Sequence, residues 1–254
     1  MQRNLNDIGI VLNLKQAKDA NKLLFMFSPE RGKLTLNVKG AGKSLSKLAP
    51  SLDGGNIIQI SYYKGKSDID LLLEVKLIDD LSNLKSSIRG IPLLLYLLEL
   101  ISLFIQPEMP LSSFFNETVD VIQLLDSNID LIPPALAYYQ LLVLNSFGYT
   151  PPLDECALCS RKLLANEKRR AITSEGVGYM CEQHMDELDN TFLIKDNILK
   201  VQKYLLKITA QDIQGIALGN DEWKLLLSIQ NTWLQNILEK KIISFNMLNL
   251  DGSR

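Results

Sequence analysis

The chain is poor in the residues on which redox, disulfide and histidine chemistry depend: its 254 residues include three cysteines and one histidine. Three cysteines do not make a framework of paired disulfides. With no export signal in the opening Gln2, Arg3, Asn4 and Asn6, a reducing cytoplasmic setting is expected. Charge of one sign is also missing, since 27 Lys and Arg against 29 Asp and Glu leave a net of −2. Overall charge therefore announces neither a nucleic-acid binder nor an acidic solvating chain. Long apolar runs are absent too. The longest, Ile91 to Ile105, contains Glu99 and falls short of the roughly 20 residues that span a bilayer, so it is expected to be a buried core helix. No nucleophile elbow, HExxH motif, dinucleotide fingerprint or kinase signature occurs. Asp68, Asp70 and Glu74 cluster in sequence but read as turn and strand-surface residues. The chain is expected not to be an enzyme.

What is present is local asymmetry. Residues 1–80 hold twelve basic and nine acidic residues, whereas residues 81–150 hold two and six. The first 80 residues also alternate with a period of two: Ile8, Ile10, Leu12 and Leu14; Leu34, Leu36 and Val38; Ile58, Ile60 and Tyr62; Leu71, Leu73, Val75 and Leu77. Together with the apolar run Leu23 to Phe27, these suit a five-stranded barrel of the OB type, although an SH3-like barrel fits the pattern nearly as well. From residue 82 the period becomes helical. Pro92 stands near the start of the first apolar helix, and Leu111 to Leu125 reads as amphipathic. Pro133 and Pro134 open a helix that ends at Phe147 before Gly148, and further helices are expected near 196–209 and 221–240. The fold class is therefore α+β: an N-terminal barrel (1–80), an all-α helical bundle (81–150 and 191–245) and a cysteine-bearing insertion (151–190).

All the cysteines and the sole histidine fall in two knuckles, Cys156-Ala157-Leu158-Cys159 and Cys181-Glu182-Gln183-His184. Two residues between ligands let both side chains converge on one ion, and two such turns complete a tetrahedron of three thiolates and one imidazole. The set leaves no open position for a catalytic water. One structural Zn2+ is expected, stapling a loop that lacks its own core. Buried unreactive cysteines beside a surface histidine would be coincidence at this spacing. A redox CxxC leaves the second knuckle unexplained, and an iron–sulfur cluster usually takes cysteine ligands alone.

Arg31, Lys33, Lys39, Lys43 and Lys47 are followed by no acidic residue until Asp53. Lys33 and Lys39 lie on the face opposite Leu34, Leu36 and Val38, with Thr35 and Asn37 between them. The loop Gly40-Ala41-Gly42-Lys43-Ser44 suits a phosphate backbone. Arg161, Lys162, Lys168, Arg169 and Arg170 form a second basic group. The bland alternative for both groups is a solvated face. Gly42-Lys43-Ser44 ends like a P-loop, but the required earlier glycine is Asn37. Tyr62 and Tyr63 could stack bases or fill the core, and Trp223 and Trp233 read as packing residues.

Over nearly its full length the chain resembles the bacterial DNA repair protein RecO family. The resemblance lies in Leu23 to Leu34 with the turn Arg31-Gly32-Lys33, in Lys39-Gly40-Ala41 followed by Lys43, Lys47 and Leu48, and in Gly148-Tyr149 with Pro151 before Cys156-Ala157-Leu158-Cys159. It implies an OB-fold, a helical bundle and a zinc-finger-like insertion. It further implies binding of single- and double-stranded DNA, annealing of complementary strands, engagement of the acidic C-terminal tail of single-stranded DNA-binding protein (SSB), and loading of RecA together with RecR in the bacterial nucleoid. Where relatives often carry Phe-Glu-Leu-Arg, this chain has Tyr139-Gln140-Leu141-Leu142, and its basic loop has lysines rather than arginines. A different class of function also fits the residues: a zinc-stapled protein-interaction scaffold with little DNA affinity of its own.

Overall fold

A computed structural model describes residues 4–17, 21–39, 48–65, 69–164, 167–172, 176–184 and 192–248. The chain forms two compact units, Met1–Val119 and Asp120–Arg254.

In the first unit, β1 (Asn4–Gln16), β2 (Lys22–Ser28), β3 (Gly32–Val38), β4 (Ile57–Tyr63) and β5 (Asp70–Asp79) close into a barrel in the order β1-β2-β3-β5-β4. β1 pairs antiparallel with both β2 and β4, while β3 and β5 pair in parallel through Leu36 with Asp70 and Asn37 with Leu71. That parallel closure selects the OB-fold over an SH3-like barrel. Alternation sends Leu24, Met26, Leu34, Leu36, Ile58 and Ile60 into the core and leaves Lys33, Thr35 and Asn37 on the outer surface. Tyr62 belongs to the core. Asp70 corrects the surface expectation: it is 5% exposed and its carboxylate accepts the Gly65 N–H at 3.0 Å. It opens β5 in register with inward-facing Leu72, so its side chain shares the inner face and reaches the Gly65 N–H.

The β2–β3 turn needs glycine. Gly32 sits at φ 63°, and an added Cβ would lie 2.3 Å from the Gln106 carbonyl oxygen. Residues 106–111 run along this turn, with the Lys33 N–H donating to Gln106 O (3.0 Å), Glu108 N–H to Arg31 O (2.9 Å) and Leu111 N–H to Pro29 O (2.8 Å). Phe27 packs against Phe114 and Phe115, with ring centroids 5.7 and 5.2 Å away.

The helices are α1 (Ser82–Ser86), α2 (Gly90–Phe104), α3 (Ser112–Ser127), α4 (Ile132–Ser146), α5 (Asp196–Leu205) and α6 (Asn220–Leu238), and the division between units falls within α3. α2 is the expected apolar run, yet Ile91 and Leu95 on it are 49% and 43% exposed. α4 is buried nearly all round, and its Gln140 donates to the Leu227 carbonyl of α6 at 3.3 Å. Gly148, at φ 83°, ends that helix as its sequence position indicates. The second unit also contains a small sheet that the periodicity does not foretell: β6 (Arg170–Ala171), β7 (Tyr179–Met180) and β8 (Phe192–Leu193), in the order β7-β6-β8. Among the described residues, no helix is long and apolar enough to cross a membrane.

Candidate metal centre

The first knuckle is a tight hairpin. Glu155 bridges Lys162, the Cys156 N–H donates to Arg161 O (2.8 Å), and the Ser160 N–H donates to Cys156 O (2.8 Å). Ser160 holds the turn at φ 57°, a left-handed conformation that an L side chain adopts at a cost. The second knuckle follows β7, where residues Glu182–His184 make a single turn and the His184 N–H returns to Cys181 O at 3.1 Å. Two hydrogen bonds tie the knuckles together: Ala157 N–H to Tyr179 O (2.9 Å) and Cys181 N–H to Cys156 Sγ (3.4 Å).

The four donor atoms of Cys156, Cys159, Cys181 and His184 consequently lie within 4.8 Å of one another. His184 presents Nδ1, at 3.1 Å from Cys181 Sγ and 3.8 Å from Cys156 Sγ. A tetrahedral ion with Zn–S of about 2.3 Å and Zn–N of about 2.0–2.1 Å sets its donors roughly 3.6–3.8 Å apart. The residues therefore fit a metal ion with little movement, and the three-sulfur, one-nitrogen set suits a soft divalent ion held for structure.

The local electrostatics favour thiolate at two of the three cysteines. Burial opposes ionisation of Cys181, but hydrogen bonds from Arg161 and His184 outweigh it and bring the thiol down to about 6. Cys156 is likewise lowered against its burial by the N–H groups of Cys181, Cys159 and Leu158. Cys159 is raised: the Arg161 N–H favours its thiolate, but desolvation and the neighbouring sulfurs of Cys156 and Cys181 prevail. Three adjacent thiolates repel one another until a cation joins them.

A clamp that the sequence does not reveal surrounds the knuckles. Glu167 takes Arg161 in a two-pronged ion pair at 2.7 and 3.2 Å. It also accepts the N–H groups of Leu164 (3.0 Å), just after the first knuckle, and Glu182 (3.3 Å), within the second. The expectation of a loop without its own core is corrected as well. Ala171, Ile172, Tyr179 and Met180 are buried. Tyr179 hydrogen-bonds Gln202 and meets Trp233 edge-on at 5.6 Å, and Trp233 Nε1 donates to Ile172 O at 2.6 Å. Trp233 of α6 and Gln202 of α5 anchor the segment, so a bound metal ion would serve to join the knuckles to each other.

The basic residues are distributed unevenly. Lys39 is exposed. Arg31 forms an ion pair with Glu108, and Lys33 Nζ donates to the Ser102 carbonyl at 3.0 Å. Lys43 and Lys47 lie outside the described residues. Lys162 and Lys168 are exposed, and Arg170 is half-buried. Arg161 is held by Glu167. Arg169, 3% exposed, is paired with Asp196 at 2.9 Å and donates to Leu164 O at 2.8 Å. Arg169 therefore has no surface to offer a phosphate, and its role is architectural. Tyr139, Gln140 and Leu141, at the positions matched to Phe-Glu-Leu, are buried within α4.

Models for two families match the chain: Recombination protein O N terminal over residues 1–81 and Recombination protein O C terminal over residues 86–244. Among curated proteins, the chain is 23% identical over 241 residues to the DNA repair protein RecO of Clostridium novyi (strain NT), covering 95% of this chain and 92% of that protein. It is 24% identical over 218 residues to the DNA repair protein RecO of Clostridium kluyveri, covering 84% and 80% respectively. With the DNA repair protein RecO of Dehalococcoides mccartyi it shares 24% identity over 213 residues, 84% of this chain and 82% of that one. Matched in both its barrel and its helical, cysteine-bearing part, the chain belongs to the recombination protein O family, with a role in DNA repair and recombination.

Proposed function

We propose that the chain is a non-catalytic recombination mediator that binds single- and double-stranded DNA, anneals complementary strands and, with RecR, helps load RecA onto SSB-coated DNA. The observation that carries this reading is the barrel's outer β3 surface, where Lys33 and exposed Lys39 lie in a stretch, Lys33 to Leu52, without a carboxylate. Annealing requires phosphate repulsion to be screened while two strands are held close, and cations on a rigid barrel supply that without bond chemistry. Barrel (1–80), helical bundle (81–150 and 191–245) and insertion (151–190) then divide the work. The barrel meets DNA, helices within 91–147 meet the SSB tail, and the insertion, holding Zn2+, is architectural. Such a protein works at the bacterial nucleoid.

A second reading, a zinc-stapled interaction scaffold, draws on the insertion itself. Residues 151–195 carry six basic and eight acidic residues, and Arg161 and Arg169 are committed to internal ion pairs. Lys162, Lys168 and Arg170 therefore contribute less to DNA binding than the barrel does.

Annealing of complementary fluorescent oligonucleotides distinguishes the readings. The mediator accelerates annealing, and Lys39→Glu with Lys43→Glu reduces the acceleration. No acceleration, together with no oligonucleotide binding at low salt, refutes the mediator and leaves the scaffold.

A further inference from the structure

The outer surface of β1, β2 and β3 carries a side chain that the charge pattern alone does not single out. Across these strands Asn13, Phe25 and Thr35 stand in one cross-strand row, and Lys15, Leu23 and Asn37 in the next. All point away from the core that Leu24, Met26, Leu34 and Leu36 fill. An aromatic ring is thus centred on the outside of the barrel, half-buried rather than packed in its interior. Lys15 Nζ lies over it, 5.5 Å from the ring centroid, and exposed Lys39 follows the end of β3. Lys33 lies on the outer side of β3 too, half-buried, with its Nζ donating to the Ser102 carbonyl at 3.0 Å. No carboxylate occurs in residues 11–17, 22–29 or 32–39, which build this face.

Aromatic rings among cations on a barrel face have a specific chemistry. Every nucleobase has a π-face, but in a duplex those faces are covered by the neighbouring bases. A solvent-facing ring therefore gains from a single strand and not from a double one. Phosphates meanwhile need cations spaced beside the ring. The contact already present does not prevent this. An exposed cation–π contact changes an equilibrium by a factor of about 2–5, while base–aromatic stacking contributes about 5–150. A base therefore displaces the Lys15 ammonium from the ring, and the flexible lysine stem lets that charge move to an adjoining phosphate.

We propose that Phe25 is the base-stacking platform of this protein for single-stranded DNA, with Lys15 and then Lys39 on one side of it, toward the Lys22 end of β2. This rests on the DNA-binding reading above and makes it more specific: the barrel face tells single strands from duplex by stacking, and binds both through its cations.

The test uses the whole chain as wild type, Phe25→Leu, Phe25→Trp and Lys39→Glu, each titrated with oligo(dT) and with a DNA hairpin duplex. Leucine keeps the apolar contact with the strands and loses the π-face. Phe25→Leu is expected to weaken oligo(dT) binding about 5–150-fold while leaving duplex affinity and salt dependence unchanged. Phe25→Trp is expected to retain oligo(dT) affinity and to show fluorescence quenching on binding beyond that of the wild-type tryptophans. Oligo(dT) affinity equal to wild type in Phe25→Leu, or an equal loss for the duplex, overturns the stacking role. If Phe25→Leu melts well below wild type, the tryptophan variant decides, and absence of added quenching overturns the proposal. Should Lys39→Glu weaken binding while both Phe25 variants behave as wild type, only the stacking role fails. Should no variant and no wild type bind either DNA, the mediator reading fails with it.

Discussion

Cys159→Ser isolates what a metal contributes. Cys159 is the exposed candidate ligand, whereas Cys156 and Cys181 are buried, so its replacement removes one donor without opening a cavity. Serine's hydroxyl stays protonated and binds a soft divalent ion poorly. The segment is independently anchored through Trp233, Ile172 and Tyr179, so losing the ion loosens the knuckles rather than unfolding the whole second unit. With metal at about a thousand times its dissociation constant, the bound form gains roughly 4 kcal/mol. For a domain of this size, each kcal/mol moves Tm by about 3–5 °C, so the second unit should melt roughly 12–20 °C lower without the ion. The assay is differential scanning fluorimetry with and without a chelator, alongside metal analysis of the purified protein. Wild type should contain one ion and lose that interval to the chelator, and Cys159→Ser should melt like chelated wild type in either condition. Equal metal content and a Tm within about 2 °C of wild type would refute the stapling role.

Other perturbations read other parts of the structure. Gly32→Ala places a Cβ 2.3 Å from Gln106 O and 2.8 Å from Met109 O at a left-handed backbone position; urea denaturation should show a loss of about 1–3 kcal/mol. Arg161→Ala or Glu167→Gln breaks the clamp around both knuckles and should speed metal release about 10–100-fold in a chromophoric chelator assay. Asp7 is raised by burial, despite the hydroxyl proton that Ser28 donates at 2.7 Å. Because its folded carboxyl titrates above the unfolded one, the fold favours the protonated form. The associated stability is complete below the unfolded value and is lost as pH rises through the folded one. Asp7→Asn should flatten that acid-range dependence and leave the protein at least as stable at pH 7, measured by denaturation across pH.

Much of this architecture was legible because its signals are local. Period-two alternation at Leu34, Leu36 and Val38 fixes which residues enter the barrel, and Gly148 marks the end of α4. The four candidate metal ligands could be picked out because every cysteine and the sole histidine occupy two knuckles, and the structure brings their donor atoms within 4.8 Å of one another. What stayed hidden depends on contacts between distant segments. Arg161 and Arg169 resemble any surface arginines until Glu167 and Asp196 are seen to claim them. Asp70 reads as a strand-surface acid, and only the parallel pairing with Leu36 turns it inward. The two-residue strands β6, β7 and β8 are too short to show a period, and they pair between segments distant in sequence, with Tyr179 of β7 against Trp233. Phe25 sits in an unbroken apolar run, Leu23 to Phe27, where sequence cannot separate the ring that faces out from the neighbours that face in.

The proposed function requires phosphates to meet the lysine-bearing face of the barrel. Its most direct test is the affinity of wild type and Lys39→Glu for a single-stranded oligonucleotide across a range of salt concentrations. Each lost phosphate contact reduces the magnitude of the log–log slope by about 0.7. Wild-type affinity should fall steeply with salt, while Lys39→Glu should bind more weakly with a slope shallower by about that amount. Superimposable titrations for the two proteins would contradict the claim.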